Sequence, residues 1–438
     1  MGDLPGMRIL WVCNVGDRYT AEYFNEPCSI YGGWLTGLLS KLRKDSNFEI
    51  FYLYPKIGEK NQIIFKKNNV TYINFFSPQL FPFINVKSNK FNKLEAHHIE
   101  QAIEKINPDI IHIHGTEYIH SLLVARLAKA KSIPVVCSIQ GLTSIISKHF
   151  LQYIPQELYK KWNISSIFRR TLLGQKKQLQ IRGRSEVETL GLISNIIGRT
   201  EWDRACTYFI NPERNYYFCN ESLRDEFYSD IWCHSSCKQR TIFVSQASSP
   251  LKGFNILIES LALVKNIFPD VKIRVAGNDL TNTDNFISKM KLSVYGGYIS
   301  KLLQKHNLHS NVEFLGQLDA VQMKDELLNC NIFVSPSSIE NSSNSVCEAM
   351  LLGVPVISSY VGGIPSLLVS NETGLLYQGE SPEMLSYMII KLFSDKNFAS
   401  YLGFNAREVA LSRHNQDENC ETIISIYNDV LEKAKKYE

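Results

Sequence analysis

Glu340 and Glu348 stand in the stretch "SSIENSSNSVCEAMLLGVPVISSYVGG", Ser337 to Gly363, with seven residues between them. Ser342, Ser343, Asn344 and Ser345 crowd the expected start of a helix. Small polar residues there leave backbone amides and the positive end of the helix dipole open to an anion. Ser345 and Glu348 also fit Ser-x-x-Glu, a capping box, in which Glu348 would only close its own helix. That reading leaves Glu340 without a task, because nothing near it in sequence needs a cap. Two further loops carry groups that suit a phosphate. "SIYGGWLTGLL" sets Gly32 and Gly33 before a helix, where backbone can approach a ligand closely. A plain glycine turn explains that pair as simply. "SQASSPLKGFNIL" sets Lys252 just ahead of another helix, as a phosphate cation or as a solvated surface lysine.

These loops need elements to hold them. Short apolar runs, "RILWVCN", "FEIFYLY", "VTYINFF", "DIIHIH" and "PVVCSI", read as strands buried on both faces. Between them lie the helical patterns "GGWLTGLLSKLRKD", "FNKLEAHHIEQAIEKI" and "IHSLLVARLAKAK". The second half repeats the alternation with "TIFVS", "VKIRVAG", "VEFLG", "NIFVSP" and "VPVIS". Repeated strand-helix units predict an α/β protein of two doubly wound, Rossmann-like domains, 1–235 and 236–411. The polar stretch Ser229–Arg240 reads as the linker, and the terminal helix, 412–438, as packing back on the first domain. Ligands of such sheets bind beyond the carboxyl ends of the strands, where all three loops fall.

Length and composition agree. A chain of 438 residues, 44% hydrophobic and 21% charged, can fill two cores. A net charge of +4 is too mild to imply nucleic acid. No apolar run approaches the roughly 18 residues of a membrane span. "MRILWVCNVGDR" meets Asp17 and Arg18 too soon for a secretory signal. Ten cysteines, scattered mostly through apolar runs, read as buried free thiols of a cytoplasmic protein. "WCHSSC" lacks the second ligand pair of a zinc site.

The Glu340–Glu348 block resembles the Glu-seven-Glu motif of the family 4 retaining glycosyltransferases, which have the GT-B fold. "FVSPSSIE" before it, "EAMLLGVPVISSYVGGI" and "NETGLLY" after it, and "NVEFLGQL" upstream match as well. Lys252-Gly253 is similar to the family's Lys-Gly and Gly32-Gly33 to its N-terminal glycine loop. The resemblance covers the second half well and the first half through "YGGW" and "DIIHIHG". It implies that Glu340 meets the donor sugar and that Glu348 binds the ribose hydroxyls. It implies that amides near Asn344, Ser345 and Val346 hold the diphosphate, and that Lys252 and Gly33 approach it. Gly316 and Gln317 would touch the base. No cofactor or metal is implied; the nucleotide-sugar, UDP by default, is a co-substrate.

The sequence departs from the family at three places. Gln246 and Ala247 stand where an Arg is usual, Gln140 where a His is usual, and Asn341 where a Gly follows the first Glu. His112 and His114 on the preceding strand read first as structural. Gln140, His114, Arg199 and Arg204 are the acceptor-side candidates; a buried structural Arg–Asp pair among Arg199, Asp203 and Arg204 explains the latter region equally well. From Lys148 to Arg184 the chain carries nine Lys or Arg and one Glu, with Tyr153, Trp162, Phe168, Leu172 and Leu173 interleaved. Such a segment suits an anionic membrane surface or a lipid-linked acceptor, or is a solvated helical face. The predicted function is sugar transfer from a nucleotide-sugar to a glycan or lipid-linked glycan in surface polysaccharide synthesis, by a cytoplasmic or peripheral enzyme on the inner face of a membrane. A non-catalytic nucleotide-sugar-binding partner and a nucleotide-sugar 2-epimerase are the alternatives.

Overall fold

The computed structural model describes residues 6–26, 32–78 and 92–436, leaving out the side chains of Trp34, Phe168 and Arg169. Tyr31 of the glycine loop and Phe91 of the second predicted helix lie outside the described residues. The chain divides into two compact units. The first comprises Met1–Ile145, Leu179–Arg224 and His414–Glu438; the second comprises Ile146–Gln178 and Asp225–Arg413.

The first unit is built on an eight-stranded sheet. Its strands are β1 (Met7–Cys13), β2 (Phe48–Ile57), β3 (Ile64–Lys67), β4 (Val70–Ser77), β5 (Ile110–His114), β6 (Val135–Ser138), β7 (Asn195–Gly198) and β8 (Asn215–Phe218). Their order is β3-β4-β2-β1-β5-β6-β7-β8, and every pair is parallel except β3 with β4. Along β1, Ile9, Trp11 and Cys13 enter one hydrophobic core while Leu10 and Val12 enter another. A strand buried on both faces has no need of polar alternation, hence the unbroken "ILWVC". Helix Gln416–Lys435 closes the first of these cores with Ile423, Ile426 and Tyr427.

The second unit holds a six-stranded parallel sheet, β9 (Thr241–Val244), β10 (Lys272–Val275), β11 (Val312–Phe314), β12 (Ile332–Ser335), β13 (Val356–Ser359) and β14 (Leu375–Tyr377). Its order is β11-β10-β9-β12-β13-β14. β3, β7, β8 and β14 are strands that sequence pattern did not single out. β3 and β8 are edge strands with little burial, so neither carries the unbroken apolar run of a central strand.

Two boundaries differ from the sequence reading. Residues 146–178, expected inside the first domain, group with the second unit. Asn255 Nδ2 donates to the Tyr153 carbonyl at 2.8 Å and Asn163 Nδ2 to the Leu292 carbonyl at 2.7 Å. The expected linker, Ser229–Arg240, is packed rather than loose. Trp232 is buried, with its backbone N–H on Leu352 and its indole N–H on Cys330.

Candidate functional site

In each unit the chain lays down strands to one side of a starting strand and then returns to the other side. The reversal falls between β9 and β12 in the second unit and between β1 and β5 in the first. Loops diverge there at the strand carboxyl ends and leave a crevice, the general ligand position of such sheets.

In the second unit, β9 runs into the short turn Pro250–Lys252 and β12 into the loop that carries Glu340. Lys252 Nζ lies 2.6 Å from Glu340 Oε1. Ser337 Oγ donates to the same carboxylate oxygen at 2.7 Å. Both charged groups are only partly buried, so the pair remains in reach of a ligand. Glycine fixes the turn from both sides. Gly253 has φ +61°, and a Cβ there would fall 1.9 Å from the Pro336 carbonyl oxygen. Gly362 has φ +50°, and its Cβ would fall 2.0 Å from the Glu340 carbonyl oxygen, which also accepts from the Gly363 N–H.

Helix Asn344–Leu351 begins one residue before Ser345, and its N-cap, Ser343, makes no side-chain cap bond. Ser345 is therefore inside the helix, and Glu348 sits a full turn in, buried. The capping-box reading of Ser345 and Glu348 is overturned by this register. The first-turn amides of Asn344, Ser345 and Val346 carry no side-chain cap, and Ser345 Oγ pairs with Ser245 Oγ at the end of β9. Gly316 follows β11 with φ +75° and exchanges backbone hydrogen bonds with Gly277, which leaves Gln317 exposed at that edge.

The first unit gathers a second set. Gly32, at φ +89°, precedes helix Gly33–Leu42, and the Arg224 side chain lies against Gly33 so closely that a Cβ would meet it at 2.9 Å. At the ends of β5, β6 and β7, a narrow pocket is lined by His114, Ser138, Gln140, Arg199 and Glu221. Arg199 forms a buried ion pair with Glu221, and Gln140 Nε2 donates to Glu221 Oε1 at 2.7 Å. Asp203 accepts from the backbone N–H of Arg199 and from the Tyr216 hydroxyl. Arg204 does not line the pocket; it is exposed and paired with Glu201. Sequence reading thus found three pocket residues and missed Glu221, Ser138 and, nearby, Glu117. Glu117 is half-buried, and the loss of solvent around its carboxyl raises it above the usual range. It accepts from the Gly141 N–H at 3.0 Å and from Asn14 Nδ2 at 2.9 Å, tying together the ends of β1, β5 and β6. The available signal was position alone: Ser138 ends β6 and Glu117 stands just past β5, whereas Glu221 follows β8, which left no pattern.

Cys237 Sγ bonds to the His234 carbonyl, and Cys233 pairs with Ser235. Among the described residues no group of three or more His, Cys, Asp or Glu side chains is placed to hold a metal.

Two doubly wound sheets with such strand-end loops define a GT-B protein. Residues 234–409 match the family model "Glycosyl transferases group 1" and residues 61–169 match "Glycosyl transferase 4-like". The chain belongs to the GT-B glycosyltransferases of family 4 type. The fold is shared with sucrose-phosphate synthase from Thermosynechococcus elongatus, at TM-score 0.70 and 16% identity over 98% of this chain and 100% of that one. It is also shared with Anabaena HepE, solved with UDP and glucose, at TM-score 0.64 and 16% identity over 97% and 100%. The capsular polysaccharide glycosyltransferase CapM of Staphylococcus aureus is 26% identical over 184 residues, 42% of this chain and 44% of CapM. The matches to the first curated relatives span less than half the length of those proteins.

Proposed function

We propose that this chain is a retaining glycosyltransferase. It moves a sugar from a nucleoside-diphosphate donor, UDP by default, to a hydroxyl of a glycan or lipid-linked glycan in surface polysaccharide synthesis. The observation that carries the reading is the Lys252–Glu340 pair, 2.6 Å apart, beside the uncapped first turn of Asn344–Leu351 at the strand reversal. A diphosphate seated on the amides of Asn344, Ser345 and Val346 would meet Lys252 as its counter-charge. Glu340, freed from Lys252 by that exchange, would face the positive charge that develops at the anomeric carbon. Glu348 would bind the ribose hydroxyls and Gly316 with Gln317 the base. The C1–phosphate bond breaks as the C1–acceptor bond forms on the same face. The acceptor proton passes to the departing phosphate oxygen. A cation and a helix end together stabilise the leaving group, so no metal enters this scheme. The UDP bound to HepE and the capsular role in CapM's name motivate the nucleotide and the product class.

The first unit supplies the acceptor side through Gln140, His114 and Arg199. Lys160, Lys161 and Trp162 are exposed on the second unit, together with Ile164 and Ile167, and we assign this patch to an anionic membrane on the cytoplasmic side. Among the described residues no helix is long and apolar enough to cross a membrane.

A panel of nucleotide-sugars incubated with the protein and read by mass spectrometry tests the function. The expected result is transfer or slow hydrolysis of one donor, retained in EDTA. Tight binding of a donor without turnover would instead indicate a non-catalytic partner, and activity that chelator abolishes and manganese restores would overturn the metal-free scheme.

A further inference from the structure

A chain of buried hydrogen bonds ends at the first unit's pocket and sets its polarity. Trp11 Nε1 donates to the Tyr427 hydroxyl at 3.0 Å. That hydroxyl lies 2.7 Å from His112 Nδ1, and His112 Nε2 lies 2.7 Å from Ser138 Oγ. All of the first three side chains are fully buried. Burial pushes the His112 pKa down to about 3, so the ring is neutral and carries one hydrogen. An indole N–H can only donate, so Tyr427 accepts from Trp11. If His112 also donated to Tyr427, the phenol hydrogen would be stranded in the core, at the cost of an unmade buried bond. The arrangement that satisfies every group runs one way: Trp11 to Tyr427, Tyr427 to His112 Nδ1, and His112 Nε2–H to Ser138 Oγ. The hydroxyl hydrogen of Ser138 is then left for the pocket that Ser138 lines.

The rest of the lining mixes apolar side chains, Leu35, Leu38, Ile139, Ile197 and Ile423, with polar groups that carry no net charge. Arg199 is neutralised by Glu221. His114, stacked on His112 at 3.8 Å, is likewise held neutral by burial, and its Nε2 has no hydrogen-bond partner. Asn220 Oδ1, an acceptor, and Ser222 Oγ are buried without partners in the same lining. The cavity itself is about 30 Å³, room for one or two waters and too small for a sugar ring. An amine could only donate here and would bring a charge; a carboxylate or phosphate could only accept and would bring the opposite one. An alcohol both accepts and donates without charge.

We propose that this pocket recognises a single uncharged hydroxyl or hydroxymethyl arm, which accepts from Ser138 and donates to Asn220, with Tyr427 and His112 as the positioning residues that orient Ser138. That the arm belongs to a transferred or receiving sugar rests on the transferase reading above; the polarity of the pocket does not.

Histidine-selective nitrogen NMR on the full chain reads the proton position directly. His112 is expected as the Nε2–H form, and Tyr427→Phe, which keeps the ring, should abolish that preference. Titration with glycerol, acetate and methylammonium, followed on the His112 and His114 signals, tests the ligand class. Glycerol alone should give saturable shifts. Its affinity should fall about three- to tenfold in Ser138→Ala and in Tyr427→Phe, the range for one neutral hydrogen bond, and recover in Ser138→Thr. An Nδ1–H form of His112, or equal response to the charged probes, overturns the proposal. Where the donor panel yields turnover, a KM rise in Ser138→Ala confined to the donor or to the acceptor assigns the arm to one or the other, with kcat unchanged. A panel without turnover removes the transferase reading and leaves the NMR test standing.

Discussion

At the residue scale, the motif glutamates differ in what holds them. Glu340 is paired with Lys252 and Ser337, whereas Glu348 is carried in mid-helix and buried. The proposed role of Glu348 is to bind the ribose diol of the donor nucleotide. Glu348→Gln should weaken binding of free UDP by about 1.5–3 kcal/mol, the worth of a charged hydrogen bond, with little loss of melting temperature. Calorimetry decides this: unchanged affinity with lost stability would return Glu348 to a purely structural part. Glu95 offers a cleaner titration. Burial raises its carboxyl to about 7, so the folded state keeps a proton that the unfolded chain releases near 4.5. Stability carried by this residue therefore falls as pH rises through that window. Glu95→Gln should gain on the wild type from pH 4.5 to above 7, by about 3 kcal/mol at most. Urea unfolding at pH 5 and pH 8 checks it, and a difference that ignores pH would sink the assignment.

At the scale of elements, glycine decides where the reactive loops can go. Gly253 lets the Lys252 turn cross under Pro336 with no room for a side chain. Gly253→Ala combines a left-handed backbone, costing about 1 kcal/mol or more, with a direct backbone clash. We expect a lowered melting temperature and a larger loss of UDP binding than Gly316→Ala produces, since a Cβ at Gly316 meets nothing within 4 Å. Equal effects at the two positions would show that space around Gly253 does not matter. The helix register is the other element-scale result. Ser-x-x-Glu fits the capping pattern on paper, and only the observed start at Asn344 moves Glu348 one turn inward.

At the scale of the whole molecule, the basic stretch is divided in its duties. Tyr153 and Leu172 are buried, and Arg182 donates to the Glu117 carbonyl, so these are structural. The side chains of Phe168 and Arg169 are left out of the description. Lys160, Lys161 and Trp162 remain on the surface, with Trp162 61% exposed. Near anionic lipid each such lysine contributes about 1 kcal/mol, fading within a Debye length. Wild type should sediment with anionic vesicles at low salt, release at high salt and ignore neutral vesicles. Changing Lys160 and Lys161 to Gln and Trp162 to Ala should leave it in solution with UDP binding intact. Identical sedimentation of the two proteins would refute the membrane patch.

The sequence alone determined the two wound sheets and the main strand-end loops. Strands buried on both faces must be apolar throughout, and loops that bend at Gly32, Gly253 and Gly316 must carry glycine; both leave a local trace. Lys252, Glu340 and Glu348 were legible for the same reason, each sitting beside a strand-to-helix transition. Tertiary structure decided the rest. Residues 146–178 left the first unit because Tyr153 and Asn163 find hydrogen-bond partners in Asn255 and Leu292, more than a hundred positions away. Glu221 reached Gln140 across 81 positions, and Tyr427 reached Trp11 and His112 across 416 and 315. A buried polar group must be satisfied by whatever the fold brings beside it, and no local pattern of residues records which partner that is.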